Sequence, residues 1–224
     1  IDMNQLMDPI GKLMGLRYKS HPWHGVEIGD DAPNTVTSFI EMVPTDTVKY
    51  EVDKSSGYIR IDRPQKFSNV IPALYGFIPQ TYSGQCVADY TMEKTAYEDI
   101  TGDGDPIDIC VLTEKVIPHG NILVSAIPIG GFRMLDGKES DDKIIAVMRN
   151  DAVYGNYKNI TDCPDMVIDR LKHYFLTYKD LPGEKRHVEI THVFDREEAH
   201  EIILRSTEDY ANRFKNLEQF LKGV

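Results

Sequence analysis

The amino-acid sequence predicts a mainly β protein with helices, of the α+β class, in which short strands form a small barrel or sandwich. Short runs rich in β-branched and aromatic residues recur between residues 36 and 148, and turn-forming residues separate them. The regular spacing of these strands is typical of small barrels and sandwiches. The last third of the chain changes to the apolar spacing of an amphipathic helix.

The predicted strands lie on either side of one long irregular segment. They cover residues 36–41, 48–52, 58–62, 107–112, 122–129, 144–148 and 187–194. Pro44 and the Ser-Ser-Gly run at 55–57 separate the first three strands as turn signals. Residues 79–102 show little periodicity, so we predict a long loop or an inserted hairpin there.

Two helices are predicted in the C-terminal third. Pro164 suits a first helical position, and the residues after it form an apolar stripe of Val167, Leu171, Tyr174, Phe175 and Tyr178. Pro182 and Gly183 end this helix. Asp195 and Glu198 form a capping box before a second helix that runs to about Leu221.

The length of 224 residues suits one elaborated domain. Residues 1–35 have an irregular composition after a short helix-like start, and we interpret them as an N-terminal extension. Residues 36–224 are then a single domain that carries the 79–102 insertion.

Composition excludes several function classes. The net charge is −11 at pH 7, and nucleic acids and anionic membranes bind surfaces with excess Lys and Arg, so neither is expected as the main partner. Cys86, Cys110 and Cys163 are few and widely spaced, which predicts reduced thiols in a cytoplasmic protein. Neither a membrane-spanning helix nor a signal peptide is expected.

The densest acidic motif lies at residues 103–108. Asp103, Asp105 and Asp108 are crowded there, with glycine and proline between them. Such carboxylates repel one another unless cations lie between them, and hard oxygen ligands suit Mg²⁺, Mn²⁺ or Ca²⁺. The alternatives are a solvated acidic turn and a single Ca²⁺ loop. As an EF-hand the motif fails, because Ile107 stands at a ligand position.

A second acidic group could converge with the first on one set of metal ions. It comprises Asp136, Glu139, Asp141 and Asp142, followed by Lys143. The alternative is an exposed, charged hairpin tip, and we expect Asp142 to be merely solvated. Basic and phenolic side chains border the same elements, namely Lys49, Arg63, Tyr75, Lys143, Tyr178 and Lys179. Metal-binding carboxylates together with anion-binding Lys, Arg and Tyr are the groups that phosphoryl transfer to water requires.

Several segments, in this order along the chain, resemble the soluble family I inorganic pyrophosphatases. They are Ile-Glu-Met-Val-Pro at 40–44, Lys-Tyr-Glu-Val-Asp-Lys at 49–54, Asp-Arg at 62–63, Tyr-Gly-Phe-Ile-Pro-Gln-Thr at 75–81, Asp-Gly-Asp-Pro-Ile-Asp at 103–108, and His-Tyr-Phe at 173–175 leading to Tyr-Lys-Asp-Leu at 178–181. The resemblance implies an OB-like five-stranded β-barrel with two C-terminal-region helices packed outside. It also implies Mg²⁺-dependent hydrolysis of pyrophosphate to two orthophosphates, with Mn²⁺ as a substitute, in a homo-oligomer that is a hexamer or a dimer.

The resemblance also implies a role for each matching residue. Metal ligands are implied at Asp103, Asp108, Asp136 and Asp141, with an acidic pair on the opposite wall at Glu41 and Glu51. Asp105 resembles the general base, and Tyr75 the phenol that borders the site. Phosphate-binding groups are implied at Lys49, Arg63, Lys143, Tyr178 and Lys179.

Two positions depart from the family pattern. Gly137 stands where an acidic residue is usual, and Glu139 lies two residues further on as a substitute for it. Ile71 stands where many members carry a tyrosine, which removes one hydroxyl group near the site. These departures motivate the alternative function, a catalytically weakened relative that acts as a metal-binding or oligonucleotide-binding OB module.

Overall fold

The computed structural model describes residues 20–65, 69–179 and 188–222. The strands are β1 (Val36–Met42), β2 (Val48–Val52), β3 (Ile59–Pro64), β4 (Leu74–Phe77), β5 (Thr101–Gly102), β6 (Asp108–Leu112), β7 (Ile122–Asp136), β8 (Glu139–Ser140), β9 (Lys143–Met148) and β10 (Val188–Phe194). The helices are α1 (Gln85–Thr95), α2 (Asp165–Thr177) and α3 (Arg196–Lys222), and a short 3₁₀ turn covers Ile160–Asp162.

Five strands close into a ring. Strands β1, β4, β6, β9 and β7 pair in that order, and β7 pairs back with β1. Within the ring only β6 and β9 are parallel. The hairpin of β2 and β3 forms a separate small sheet. This ring confirms the predicted five-stranded barrel.

Strand β7 is longer than the sequence predicted, because it bends instead of ending at residue 129. Its first part pairs with β1, and its last part pairs with β10. A register shift lies between Pro128 and Gly130. Gly130 has φ +153°, and a Cβ there would lie 2.4 Å from the Phe194 carbonyl oxygen. The glycine therefore allows the bend that carries β7 on to Asp136 at the site.

The two predicted C-terminal helices are confirmed, and both pack their apolar stripes against the barrel. Helix α2 buries Ile168, Leu171, Tyr174 and Phe175, and the same core contains Phe132 and Ile145 of the barrel. Helix α3 buries Ala199, Ile202 and Ile203. Asp195 caps α3 by accepting from the Glu198 N–H at 3.0 Å, which is one of the two hydrogen bonds of the predicted capping box. The stop signal at Pro182 and Gly183 lies outside the described residues.

The prediction of a loop or hairpin at 79–102 is wrong, because helix α1 occupies the middle of this segment. The helix buries Val87, Ala88, Tyr90 and Thr91, and the polar Thr91 interrupts the apolar stripe. The N-cap residue Gly84 has no side chain that could cap the start of the helix. The cap is Asp209 of α3, which accepts from Cys86 N–H at 2.9 Å. A cap so distant in sequence leaves no local signal.

The segment before β1 packs on the domain. Trp23 is buried, and its Nε1 donates to the Thr81 carbonyl oxygen at 2.8 Å. The helix-like start predicted near the N-terminus lies outside the described residues, and the boundary between 1–35 and 36–224 stays a prediction. Among the helices that the structure describes, none has the length and apolar character of a membrane span.

Candidate active site

A cavity of about 560 Å³ brings together every site residue that the sequence predicted. They are Glu41, Lys49, Glu51, Arg63, Tyr75, Asp103, Asp105, Asp108, Asp136, Asp141, Lys143, Tyr178 and Lys179. The ring strands, the β2–β3 hairpin, the loops beside β5 and β8 and the residues after α2 all contribute to its lining. The two acidic segments therefore converge, while the chemical role of each residue stays a prediction.

A buried ammonium group lies among the carboxylates of one wall. Lys143 begins β9 and is the register partner of Asp108 on β6. Its Nζ donates to both Asp108 and Asp141. Burial alone lowers the pKa of an ammonium group, but these two carboxylates raise the pKa of Lys143 well above its usual value. Lys143 is thus a cation at neutral pH.

The acidic groups of this wall disfavour one another's charge. The pKa of Asp103 is well above its usual value, first because the carboxyl is buried and second because Asp141 lies nearby. Burial also raises the pKa of Asp141, although Lys143 opposes the shift. Carboxylates held together in this way gain stability when a cation joins them. The arrangement is electrostatically suited to bind positive charge.

Tyr75 orients one of these carboxylates. Its hydroxyl donates to Asp108 Oδ2 at 2.7 Å. Burial raises the pKa of Tyr75 well above its usual value, and the Asp108 charge raises it further. The phenol therefore keeps its proton and remains a hydrogen-bond donor.

Residues after α2 complete this side of the cavity. Lys179 Nζ donates to Asp136 Oδ2 at 2.6 Å and lies 3.8 Å from Asp141 Oδ2. Tyr178 packs its ring on Tyr174, with ring centroids 5.0 Å apart. Its backbone carbonyl accepts from Asn69 Nδ2 at 3.1 Å. The contact between Lys179 and Asp136 attaches the end of α2 to strand β7.

Glu41 of β1 also lines the cavity and is almost fully buried. Its Oε1 accepts from the Val52 N–H at 2.7 Å. Burial raises the pKa of Glu41 to about 8, and the hydrogen bond from Val52 opposes this shift. With these neighbours Glu41 is therefore mostly protonated at neutral pH.

The β2–β3 hairpin presents two cations to the cavity. Lys49 Nζ lies 3.3 Å from Glu51 Oε2 and 3.5 Å from Asp62 Oδ2. Arg63 donates to the same Asp62 carboxylate at 2.6 Å. These side chains are only partly buried, so each ion pair adds little stability. Both cations can exchange their carboxylate partner for an anionic ligand at small cost.

Sequence reasoning missed Lys54 and Asp62 as site residues. Lys54 Nζ donates to Asp105 Oδ1 and lines the cavity. Asp62 lines it as well and joins Lys49 to Arg63. Both residues lie within quoted family segments, at 49–54 and 62–63. Their position within these family segments, next to residues with an implied role, was the sequence signal that could have identified them.

Asp142 was predicted to be solvated, and this prediction is wrong. Its side chain is fully buried, and Oδ1 lies 3.3 Å from Nε of the fully buried Arg133. In the sequence Asp142 stands between the charged residues Asp141 and Lys143, as a surface residue would. Its partner Arg133 lies on strand β7 and leaves no signal near position 142.

The two departures from the family pattern have different surroundings. Gly137 has φ +65°, and nothing lies within 4 Å of a Cβ built there. The backbone conformation thus favours glycine at this turn, although space for a side chain exists. Glu139, two residues on, lines the cavity. Ile71 is fully buried in the core that contains Phe175.

The donors of this site fit a hard divalent cation. Among the described residues, no group of three or more His, Cys, Asp and Glu side chains is already arranged around a single metal position. The Lys143 ammonium lies between two of the carboxylates instead. Carboxylate oxygens are nevertheless the ligands that Mg²⁺ and Mn²⁺ prefer, and their mutual repulsion favours cation binding.

The chain is similar to known proteins over most of its length. The family model described as inorganic pyrophosphatase matches residues 38–211. An inorganic pyrophosphatase of Chlamydia trachomatis is 48% identical over 200 residues, which are 87% of this chain and 96% of that protein. The chain belongs to the inorganic pyrophosphatase family. The resemblance found in the sequence motifs is confirmed, and so is the prediction of a pyrophosphatase enzyme.

Solved structures of inorganic pyrophosphatases share the fold. The Thermus thermophilus enzyme superposes with a TM-score of 0.71 at 30% identity, covering 86% of this chain and 99% of that one. The Helicobacter pylori enzyme gives 0.68 at 29% identity, covering 83% and 98%. These likenesses confirm the predicted OB-like barrel with helices packed outside it.

Proposed function

We propose that this inorganic pyrophosphatase hydrolyses pyrophosphate to two orthophosphates with Mg²⁺, and that Asp105 is the general base. The observation that carries the proposal is the composition of one cavity. Carboxylates of β6, β7 and the 141 loop lie in the same cavity as Lys49, Arg63, Tyr178 and Lys179. Cation sites and anion-binding groups in one cavity suit a metal complex of a small polyanion.

The residues that would hold Mg²⁺ are carboxylates of both acidic segments and of the opposite wall. They are Asp103, Asp108, Asp136, Asp141, Glu41 and Glu51. When bound, Mg²⁺ neutralises phosphate charge and lowers the pKa of water that it coordinates. Mn²⁺ prefers the same oxygen ligands and is expected to substitute for it.

The chain's own cations would bind and orient the substrate. Lys49, Arg63 and Lys179 present charged N–H groups to the cavity, and Tyr178 lies beside them. Hydrogen bonds to the phosphate oxygens neutralise their charge and stabilise the charge that forms on the leaving phosphate. Tyr75 holds Asp108 by its 2.7 Å hydrogen bond, so this carboxylate keeps its orientation.

Asp105 would take the proton during the attack. A water oxygen bonds to one phosphorus atom, the bond from that phosphorus to the bridging oxygen breaks, and the second phosphate leaves. The water proton passes to the Asp105 carboxylate, which is about half exposed and donates it to solvent afterwards. Lys54 donates to the same carboxylate and would help to orient the base.

The cellular setting forms the last part of the proposal. We expect a homo-oligomer that acts in the cytoplasm on a small-molecule substrate. All three cysteines are free thiols, and two of them are buried, which suits a reducing compartment. The oligomeric state is measured by light scattering of the purified chain.

The test is phosphate release from pyrophosphate by the purified full chain. We expect turnover with excess Mg²⁺, its loss when EDTA is added, and its recovery when Mg²⁺ is restored. Release no faster than in buffer would contradict hydrolysis, and turnover that survives EDTA would contradict metal dependence. A salt-sensitive shift of single-stranded oligonucleotides without turnover would support the binding-module alternative instead.

A further inference from the structure

The segment that precedes helix α1 is hydrogen-bonded to the first acidic loop in both directions. The Ser83 N–H donates to the Asp105 carbonyl oxygen at 2.8 Å, and the Ser83 carbonyl oxygen accepts from the Gly104 N–H at 3.1 Å. A Cβ at Gly102 would lie 2.1 Å from the Ser83 carbonyl oxygen. Glycine at 102 therefore permits this close approach, which fixes the backbone that carries Asp103 and Asp105.

The Ser83 side chain extends this attachment to the second acidic segment. Its Oγ donates to the Ser140 carbonyl oxygen at 3.2 Å and lies 3.4 Å from the Asp103 N–H. Ser140 directly precedes Asp141. Both serines are buried, with 3% and 1% exposure, so water does not replace the lost contacts easily. One hydroxyl group thus connects the two loops that carry the proposed metal ligands.

Helix α1 makes a second connection at Thr91, further along the chain from Ser83. Thr91 Oγ1 lies 2.7 Å from Ser140 Oγ, and it accepts from Arg133 Nη1 at 2.7 Å. The Thr91 hydroxyl therefore takes part in two hydrogen bonds, one with the Ser140 hydroxyl and one from the Arg133 guanidinium. Thr91, Ser140 and Arg133 are all buried.

The start of α1 is itself held by helix α3. The carboxylate of Asp209 accepts from the N–H groups of Gly84 at 3.1 Å, Cys86 at 2.9 Å and Val87 at 3.0 Å. Asp209 is 5% exposed. A buried carboxylate with these N–H donors fixes the first turn of α1, and with it Ser83, against the body of the protein.

We propose that Ser83 and Thr91 are positioning residues that set the distance and orientation between the 103–108 loop and Asp141. The segment that contains Ser83 and Thr91 would thereby allow carboxylates of both loops to bind the same divalent cations. Groups that orient metal ligands change metal affinity and activity when they are removed. This inference rests on the proposed function only for its effect on turnover, since cation binding is measured separately.

The experiment measures Mn²⁺ binding by calorimetry without substrate, and phosphate release with Mg²⁺, for the full chain. For Ser83→Ala we expect Mn²⁺ affinity and kcat each to fall about 10-fold or more. KM for pyrophosphate should change less than about twofold, because the Lys and Arg side chains that bind phosphate are untouched. Thr91→Val should act in the same direction, and Thr91→Ser, which keeps the hydroxyl, should restore most of both quantities.

Thr113→Val is the matched control, because Thr113 also donates a hydroxyl, to Asp151 at 2.7 Å, and it does not line the cavity. It should lower Tm without changing Mn²⁺ affinity or kcat. Ser140→Ala, which removes only the contact with Thr91, provides a further variant if Ser83→Ala does not fold. The proposal would be overturned if the Ser83 and Thr91 variants kept the Mn²⁺ affinity and kcat of the wild type. It would also be overturned if Thr113→Val lost as much Mn²⁺ affinity and kcat as they do. If the unmodified protein binds Mn²⁺ but does not release phosphate from pyrophosphate, that result counts against the proposed function alone.

Discussion

Lys143 and Asp108 are register partners on the parallel strands β9 and β6, and the Lys143 ammonium donates to the Asp108 carboxylate. The lysine side chain is 1% exposed and the aspartate side chain 23%. The Lys143 ammonium is therefore a buried positive charge next to the acidic cluster. The same ammonium also donates to Asp141, so it offsets charge from both acidic segments.

We predict that Lys143→Met destabilises the metal-free chain by about 3 kcal/mol, because removing one partner leaves buried charge unpaired. Divalent cations should compensate, since they neutralise the same carboxylates. Urea denaturation with EDTA and with Mg²⁺ measures both effects. The gain in stability on adding Mg²⁺ should be larger for the variant than for the wild type. Equal gains in the two proteins would show that Lys143 does not compensate the cation-binding carboxylates.

The second prediction concerns the proposed general base. Asp105→Asn preserves the size of the side chain and removes its ability to accept the proton, so kcat should fall about 100-fold to 10,000-fold. Asp99→Asn is the control, because Asp99 is exposed and pairs with Lys138 at 3.2 Å outside the cavity. Its kcat should equal that of the wild type. A wild-type kcat for Asp105→Asn would remove Asp105 as the base.

The buried Arg133 gives a third prediction. It lies 3.3 Å from Asp142 and 2.9 Å from Glu198. Burial raises the pKa of Asp142 to about 6, although Arg133 lowers it. The free-energy cost of burying ionised Asp142 is thus larger than the stabilisation that Arg133 provides. Arg133→Met should therefore destabilise the chain by about 3–5 kcal/mol, whereas Asp142→Asn should change the stability little.

A double-mutant cycle checks this asymmetry. Asp142→Asn removes the charge that Arg133→Met leaves unpaired, so the double variant should be more stable than Arg133→Met alone. Urea midpoints of the four proteins at pH 7 measure the coupling. A double variant whose loss equals the sum of the single losses would show that the two side chains are not coupled.

Local patterns in the sequence predicted most of the barrel and its two outer helices. The strands alternate or are β-branched, and the stripe of α2 at Leu171, Tyr174 and Phe175 is strictly helical in spacing. These signals report burial directly, because each periodicity matches one face of an element. The site residues were identified through motif resemblance, since no periodicity brings Asp108, Asp136 and Lys179 together.

The sequence did not reveal features that depend on distant partners. Helix α1 is capped by Asp209, and its buried face includes the polar Thr91. Asp142 is buried beside Arg133, which lies on the distant strand β7. Polar residues normally indicate a solvated surface, so sequence reasoning assigned such positions to loops and surfaces. Buried polar residues become predictable only when the partner that satisfies them is known.

The last prediction concerns acid stability and rests on His24, which is partly buried beside α3. The Nδ1 atom lies 2.8 Å from the Tyr210 hydroxyl, and the ring stacks on Trp23. Burial lowers the pKa of His24 from 6.5 to about 4, and His21 lowers it further. Because the unfolded chain binds the proton first, stability is full above pH 6.5 and falls as the pH drops toward 4.

We expect His24→Phe to remove this pH dependence while keeping an aromatic ring against Trp23. Between pH 7 and pH 4.5 the wild type should lose about 1–2 kcal/mol relative to the variant, a value reduced for the partial exposure of the ring. Urea denaturation of both proteins across this range measures the difference, and subtracting the two curves cancels the titration of the carboxylates. Parallel curves would show that His24 takes up its proton equally in the folded and unfolded chain.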